Sequence, residues 1–140
     1  ACADYRIMAT GRIGVSELRV GVPFPVSALE IMRSAVPQNF LNEVLYDAKN
    51  YTPEEAKTIG LIDAIAEPEA LLVEATKKLK SWSTIPTPAF AITKRQLRAP
   101  YLERIHHNEI DTYVVNLWQE PTTLDAIGNF VASTIKRNKS

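Results

Sequence analysis

The sequence is poor in cysteine: Cys2 is the single one among 140 residues, so no internal disulfide can form. A lone thiol fits a reducing compartment, and Cys2 is expected to be a small buried hydrophobe. Histidine is scarce too, with only the adjacent pair His106 and His107. Neighbours along a helix point to different faces, so these two are not expected to share a metal ion. Neither sign of charge is in surplus, because sixteen basic residues balance sixteen acidic ones. A nucleic-acid-binding chain normally carries a basic excess, which excludes that class from the expected partners. No apolar run nears the roughly 20 residues of a membrane span. Ala1-Cys2-Ala3-Asp4 does not have the charged-then-apolar pattern of a secretory signal. No Ser-His-Asp or phosphate-loop arrangement is visible. A cytoplasmic protein with no membrane or nucleic-acid partner and no metal is the expectation.

What is present is ordinary globular composition, 46% apolar and 23% charged, enough to bury a core. Strand signals are confined to the start. Asp4 to Thr10 alternates polar and apolar residues, and Ile13 to Val22 reads as a second strand. Helical spacing then takes over. Pro25 sits at a first helical position, and Val26, Leu29, Met32, Arg33 and Val36 follow, with Pro37 as the break. Phe40, Leu41, Val44 and Leu45 mark the next helix. Thr52-Pro53-Glu54-Glu55 carries a capping box with proline in the first turn, and Gly60 stands at the C′ position. Leu61 to Ile65 reads as a short extended piece. Later helices are expected from Pro68 through Trp82, from Thr87 through Leu97, from Tyr101 to Trp118, and after Pro121. Trp82 and Trp118 fall on apolar stripes, where core packing is expected. The last residues, Lys136 to Ser140, are expected to fray. Two strands alone make a marginal sheet, so their partners are expected outside this chain.

Three segments carry a family resemblance. Ala3-Asp4-Tyr5-Arg6-Ile7 is similar to a strand of the crotonase (enoyl-CoA hydratase/isomerase) superfamily. Gly14-Val15-Ser16-Glu17-Leu18-Arg19-Val20-Gly21 resembles its "G-x-x-E-x-x-x-G". The stretch from Tyr51 to Asp63 resembles "a-x-E-A-x-x-x-G-L-V-D". Their order and spacing run over essentially the whole chain. The resemblance implies an α/β fold, the C-terminal part of a crotonase-like ββα superhelix. Residues 1–66 would end the ββα core and carry the catalytic glutamate, while 67–140 would form a helical region for packing and oligomerisation. The earlier ββα turns would come from an N-terminal half that this chain lacks. A homotrimer or hexamer is implied as well.

The same resemblance implies chemistry. A fatty acyl group is held as a coenzyme A thioester, and no separate cofactor is called for. Its carbonyl gains enolate character, which two backbone N–H groups of an oxyanion hole would stabilise. Those donors would lie in the N-terminal half. Glu17 matches the position of the carboxylate that moves a proton beside the thioester. Taken without the resemblance, Glu17 is a solvent-facing strand residue paired with Arg19 or another base.

Where many hydratases have a glycine-rich stretch, this sequence has Val22-Pro23-Phe24-Pro25-Val26. Phe24 and Pro25 are expected to contact substrate, and the departure resembles the single-glutamate isomerase branch. Isomerase chemistry is therefore favoured slightly over hydration, with a catalytically silent assembly fragment as a further alternative. Phe130 matches an aromatic that covers coenzyme A in related hydratases. Ser133 stands where a lysine would follow, and Lys136 is one turn beyond. Packing for Phe130 and a solvated tail charge for Lys136 are the general readings beside that one. Lys94 and Arg95 are candidates for coenzyme A phosphates, against the commoner role of exposed helix charges.

Overall fold

A computed structural model describes residues 2–106 and 110–137, with side chains to residue 133. The order is β1 (Ile7–Met8), β2 (Ile13–Gly14), a 3-10 turn (Glu17–Val20), α1 (Val26–Ala35), α2 (Gln38–Asp47), β3 (Asn50–Tyr51), α3 (Pro53–Thr58) and β4 (Ala64–Ile65). A second 3-10 turn (Pro68–Ala70) leads into α4 (Leu71–Trp82), α5 (Thr87–His106), α6 (Asp111–Gln119) and α7 (Pro121–Arg137).

The two early strands are shorter than expected, and they find partners within the chain. β1 pairs in parallel with β4, Ile7 opposite Ala64 and Met8 opposite Ile65. β2 pairs antiparallel with β3, Ile13 opposite Tyr51 and Gly14 opposite Asn50. An ion pair extends the first pairing. The Arg6 Nε donates to Asp63 Oδ2 at 3.0 Å, and the Arg6 backbone N–H donates to the same oxygen at 2.7 Å. The aspartate of the "G-L-V-D"-like segment thus ties β4 to the strand of the first motif.

The core lies among α1, α2, α3 and these strands. Met32, Val36, Leu41, Val44, Leu45, Tyr51, Ala56, Ile59, Leu61 and Ile62 form one buried cluster. Each large aliphatic side chain so buried contributes about 1.5–3 kcal/mol. The capping box forms as the sequence predicts: Thr52 Oγ1 accepts from the Glu55 N–H, and Glu55 Oε2 accepts from the Thr52 N–H. Gly60 follows with a φ of 71°.

The later helices differ from expectation at two places. α5 does not stop near Leu97 but continues to His106 through Pro100. Proline removes one helical hydrogen bond, yet side chains on both sides of it are held. Lys94 and Arg98 bind Asp4, and Arg104 binds the buried Glu30. The single helix expected from Tyr101 to Trp118 is instead the end of α5 followed by α6. His107 lies outside the described residues. Trp82 is half-buried, edge-on to Tyr5 and near Phe90. Trp118, expected in the core, is 43% exposed although it shares a face of α6 with the buried Val114: it lies in the last turn of that helix, past the covered part. Cys2, expected to be buried, is exposed as well: it precedes β1 at the open rim of the recess between α1 and α5. No helix among the described residues is long and apolar enough to cross a membrane.

Candidate active site

Glu17 opens the 3-10 turn rather than lying within a strand. The ends of its motif explain the change. At Gly14, a Cβ would come 2.1 Å from the Lys49 carbonyl oxygen and 2.9 Å from Asn50 Cα, so β2 and β3 touch where only glycine fits. Ser16 then adopts φ −112°, ψ 7°, outside the strand region, and the chain curls. Gly21 closes the curl at φ 75°, ψ 16°, a left-handed conformation that other residues rarely adopt. Its N–H donates to the Leu18 carbonyl at 3.2 Å, and the Val22 N–H donates to the Glu17 carbonyl at 3.1 Å. The two motif glycines thus have separate causes, close backbone approach and left-handed geometry.

Beyond the turn, Val22 is 1% exposed and anchors the segment. Phe24 is half-buried and packs against the core cluster. Pro25 is half-buried at the N-cap of α1. On the other side, α7 packs against the turn that carries Glu17. Phe130 is half-buried on α7, and the Ser133 hydroxyl donates back to the Phe130 carbonyl at 2.8 Å. Lys136 lies within α7, and its side chain lies outside the described part.

The Glu17 carboxylate itself is unusual. Its Oε2 is buried and accepts no hydrogen bond among the described residues. The alternative, an exposed carboxylate paired with Arg19, would leave that oxygen in water or on the guanidinium. Leaving a buried acceptor unmet costs about 1–3 kcal/mol, more for a charged one. Such a cost is commonly found where a group is held for a reaction partner.

Two recesses lie elsewhere. One of about 540 Å³ runs between α1 and α5, past Asp4, Glu30, Trp82, Phe90 and Tyr101. Another of about 570 Å³ follows α4, past Tyr5, Lys78 and Trp82. Neither reaches Glu17, Phe24, Pro25 or Phe130. Lys94, a candidate for coenzyme A phosphate, is occupied by Asp4, and Arg95 is exposed. The hydrogen bond from Lys94 holds the Asp4 carboxyl below its ordinary pKa of 3.8; partial burial opposes this and the Arg98 charge adds to it.

Sequence reasoning missed the side chains that bring the helical region to this segment. Asp111 of α6 accepts a hydrogen bond from the Val26 N–H at 2.8 Å, across 85 residues. Glu30, 4% exposed, accepts from Arg104 Nε at 2.7 Å and pairs with Arg33 at 3.2 Å. Partners so far apart in sequence leave no local signal. The unbroken α5 alone was a reachable clue, since its charges recur on both sides of Pro100.

Comparison with known proteins bears on the family and the fold. Residues 1–123 match the family model for enoyl-CoA hydratase/isomerase. Enoyl-CoA delta isomerase 1 of human mitochondria is 25% identical over 105 residues, 73% of this chain and 35% of that protein. An apo enoyl-CoA isomerase structure from Mycobacterium tuberculosis matches with a TM-score of 0.69 at 28% identity, over 85% of this chain and 51% of that one. The human mitochondrial delta3-delta2-enoyl-CoA isomerase structure gives a TM-score of 0.82 at 20% identity, over 99% of this chain and 55% of that one, and bears on the fold alone. The chain spans about a third of the length of the human relative and about half of the two solved structures. The α/β fold expected from the ordered motifs is the one found.

Proposed function

Because the chain belongs to the enoyl-CoA hydratase/isomerase family, we propose that the full-length protein is an enoyl-CoA isomerase with Glu17 as its proton carrier. The observation that carries this reading is the buried, unpartnered Oε2 of Glu17 on the "G-x-x-E-x-x-x-G" turn. A carboxylate there removes a proton from C2 of a 3-enoyl thioester. The electron pair spreads over the thioester carbonyl and the former double bond. The same carboxyl group then returns the proton to C4, and the double bond moves to C2–C3. One residue suffices for both transfers, and no water is consumed.

The oxyanion that forms in between needs two N–H donors, which this reading assigns to the remaining half of the full-length fold. Phe24 and Pro25 serve as apolar wall for the acyl group. Two prolines and a phenylalanine leave less room for an attacking water than a glycine-rich loop, and this supports isomerisation over hydration. Phe130 and Lys136 on α7 are assigned to the coenzyme A side. Coenzyme A enters as part of the substrate, with no further cofactor, and assembly as a trimer or hexamer through the helical region belongs to the same reading.

The test is Glu17→Gln in the full-length protein. Turnover of a 3-enoyl-CoA should fall by about 10²–10⁴-fold with an unchanged melting temperature. Turnover equal to wild type would show that Glu17 carries no proton. A wild-type protein that hydrates a 2-enoyl-CoA faster than it isomerises a 3-enoyl-CoA would replace this reading with the hydratase one.

A further inference from the structure

We infer that Asp111 is a positioning residue for the substrate-facing segment: from α6 it holds the start of α1, and with it the wall formed by Phe24 and Pro25. The inference rests on the reading that Glu17 and this wall border the acyl thioester. Every helix start presents N–H groups with no acceptor inside the helix. α1 has no remedy of its own. Its N-cap is Pro25, which makes no side-chain cap, and its first turn contains no acidic residue. The acceptor comes from elsewhere, as Asp111 Oδ1 takes the Val26 N–H at 2.8 Å. A carboxylate at this end also meets the positive pole of the helix dipole.

The consequence for the site follows from the chain between Glu17 and Val26. Its first part is fixed at Val22, which is 1% exposed and bonded back to the Glu17 carbonyl at 3.1 Å. Its far end is fixed at Val26 by Asp111. Between these anchors Pro23 and Pro25 have restricted φ angles, and Phe24 packs on the core. With both ends held, the distance from the Glu17 turn to the Phe24–Pro25 wall has little freedom. Releasing the Val26 end lets α1 begin later and the wall move relative to Glu17. α7 packs against the Glu17 turn while α6 carries Asp111, so the two last helices hold the segment at both ends.

The experiment uses the full-length protein with a 3-enoyl-CoA of one chain length. Two variants remove the bond from opposite sides. Asp111→Ala deletes the acceptor. Val26→Pro deletes the donor at a first helical position, which proline tolerates, and Pro25 before it already has the extended φ −57°, ψ 149° that a following proline requires. Each variant should raise KM about five- to tenfold, the effect of a lost helix cap, with kcat within about twofold of wild type. Asp111→Asn, which keeps an acceptor oxygen, should restore KM to within about twofold.

A purely structural loss would lower the amount of active protein and leave KM alone, so KM is the deciding readout. If Asp111→Ala fails to fold, Val26→Pro carries the test, since it leaves Asp111 and its other contacts in place. An unchanged KM in Val26→Pro, or an Asp111→Asn protein as impaired as Asp111→Ala, overturns the positioning role. Glu17→Gln run alongside separates the two levels. Undiminished turnover in that variant overturns the catalytic reading and this inference with it. Lost turnover there, with wild-type KM in Asp111→Ala and Val26→Pro, overturns the positioning role alone.

Discussion

The region from β1 to β4 and the helical region from α4 to α7 bury their apolar residues very differently. Between Val22 and Ile62 nearly every aliphatic of helical spacing is inside; Leu41 is 2% exposed and Val44 0%. Beyond residue 70 the buried hydrophobe among the described residues is Val114, while Leu72, Leu79 and Leu97 are 76%, 64% and 69% exposed. Helices α4, α6 and α7 are about as amphipathic as α1 and α2, so for them patterning alone does not decide burial, whereas α5 has almost no apolar stripe to bury. The first region closes around itself because three short helices and two strand pairs converge on one cluster. The second lies against the first through Trp82 on Tyr5 and through a few polar ties: Asp4 with Lys94 and Arg98, Glu30 with Arg104, and Asp111 with the start of α1. Glu17 sits at the seam. Its turn is built by the first region and packed upon by α7 of the second.

Substitutions in the full-length protein can break this contrast. The largest effect is expected for Leu41→Ala, which should cost about 2–5 kcal/mol in chemical denaturation. Leu97→Ala, its counterpart on α5 at 69% exposure beside the open recess facing α1, should stay within about 0.5 kcal/mol. Equal costs would mean that Leu97 is covered in the complete protein, and the contrast would then belong to this chain alone.

Gly14→Ala should come next, at about 1–3 kcal/mol, because its Cβ meets the Lys49 carbonyl, a backbone atom that cannot swing aside. Turnover should fall with it, as Glu17 begins three residues on. A Gly14→Ala protein with wild-type stability and turnover would show that β2 and β3 do not touch there.

The smallest effect tests the polar ties. The folded-state pKa of Asp4 is depressed, so its stabilisation is fully present above the ordinary value of 3.8 and is lost as pH falls through the lower folded value. Asp4→Asn should therefore cost less than about 1 kcal/mol at pH 7, as expected of a partly exposed pair, and the gap from wild type should close as pH drops below 3.8. A gap that stays constant into acid would show that the loss is not electrostatic.

Much of the first region was legible. The Thr52–Glu55 capping box and the Gly60 stop are local chemistry, complete within nine residues of sequence, and both form. The ordered motifs also led to the fold. Glu17 was legible as a candidate but not its setting: alternation extended the second strand to Val22, whereas it ends at Gly14 and the chain curls into the 3-10 turn after Ser16. The second region was read less well. A helix was expected to run only through Leu97, and the ties to Asp4 and Glu30 on either side of Pro100 accompany a helix that runs on to His106.

The sequence by itself determined the family, made Glu17 the candidate for the chemistry, and set where the helices of the first region start and stop. Those are matters of residue type, φ preference and capping within a few positions. Tertiary structure alone decided that the Glu17 oxygen is buried without a partner, and that Val114 is covered while Trp118, one turn along the same face, is 43% exposed. It also decided that Asp111 supplies the cap that Pro25 cannot. Burial and long-range hydrogen bonds depend on which surfaces meet across 85 residues of chain, and no local preference specifies that meeting.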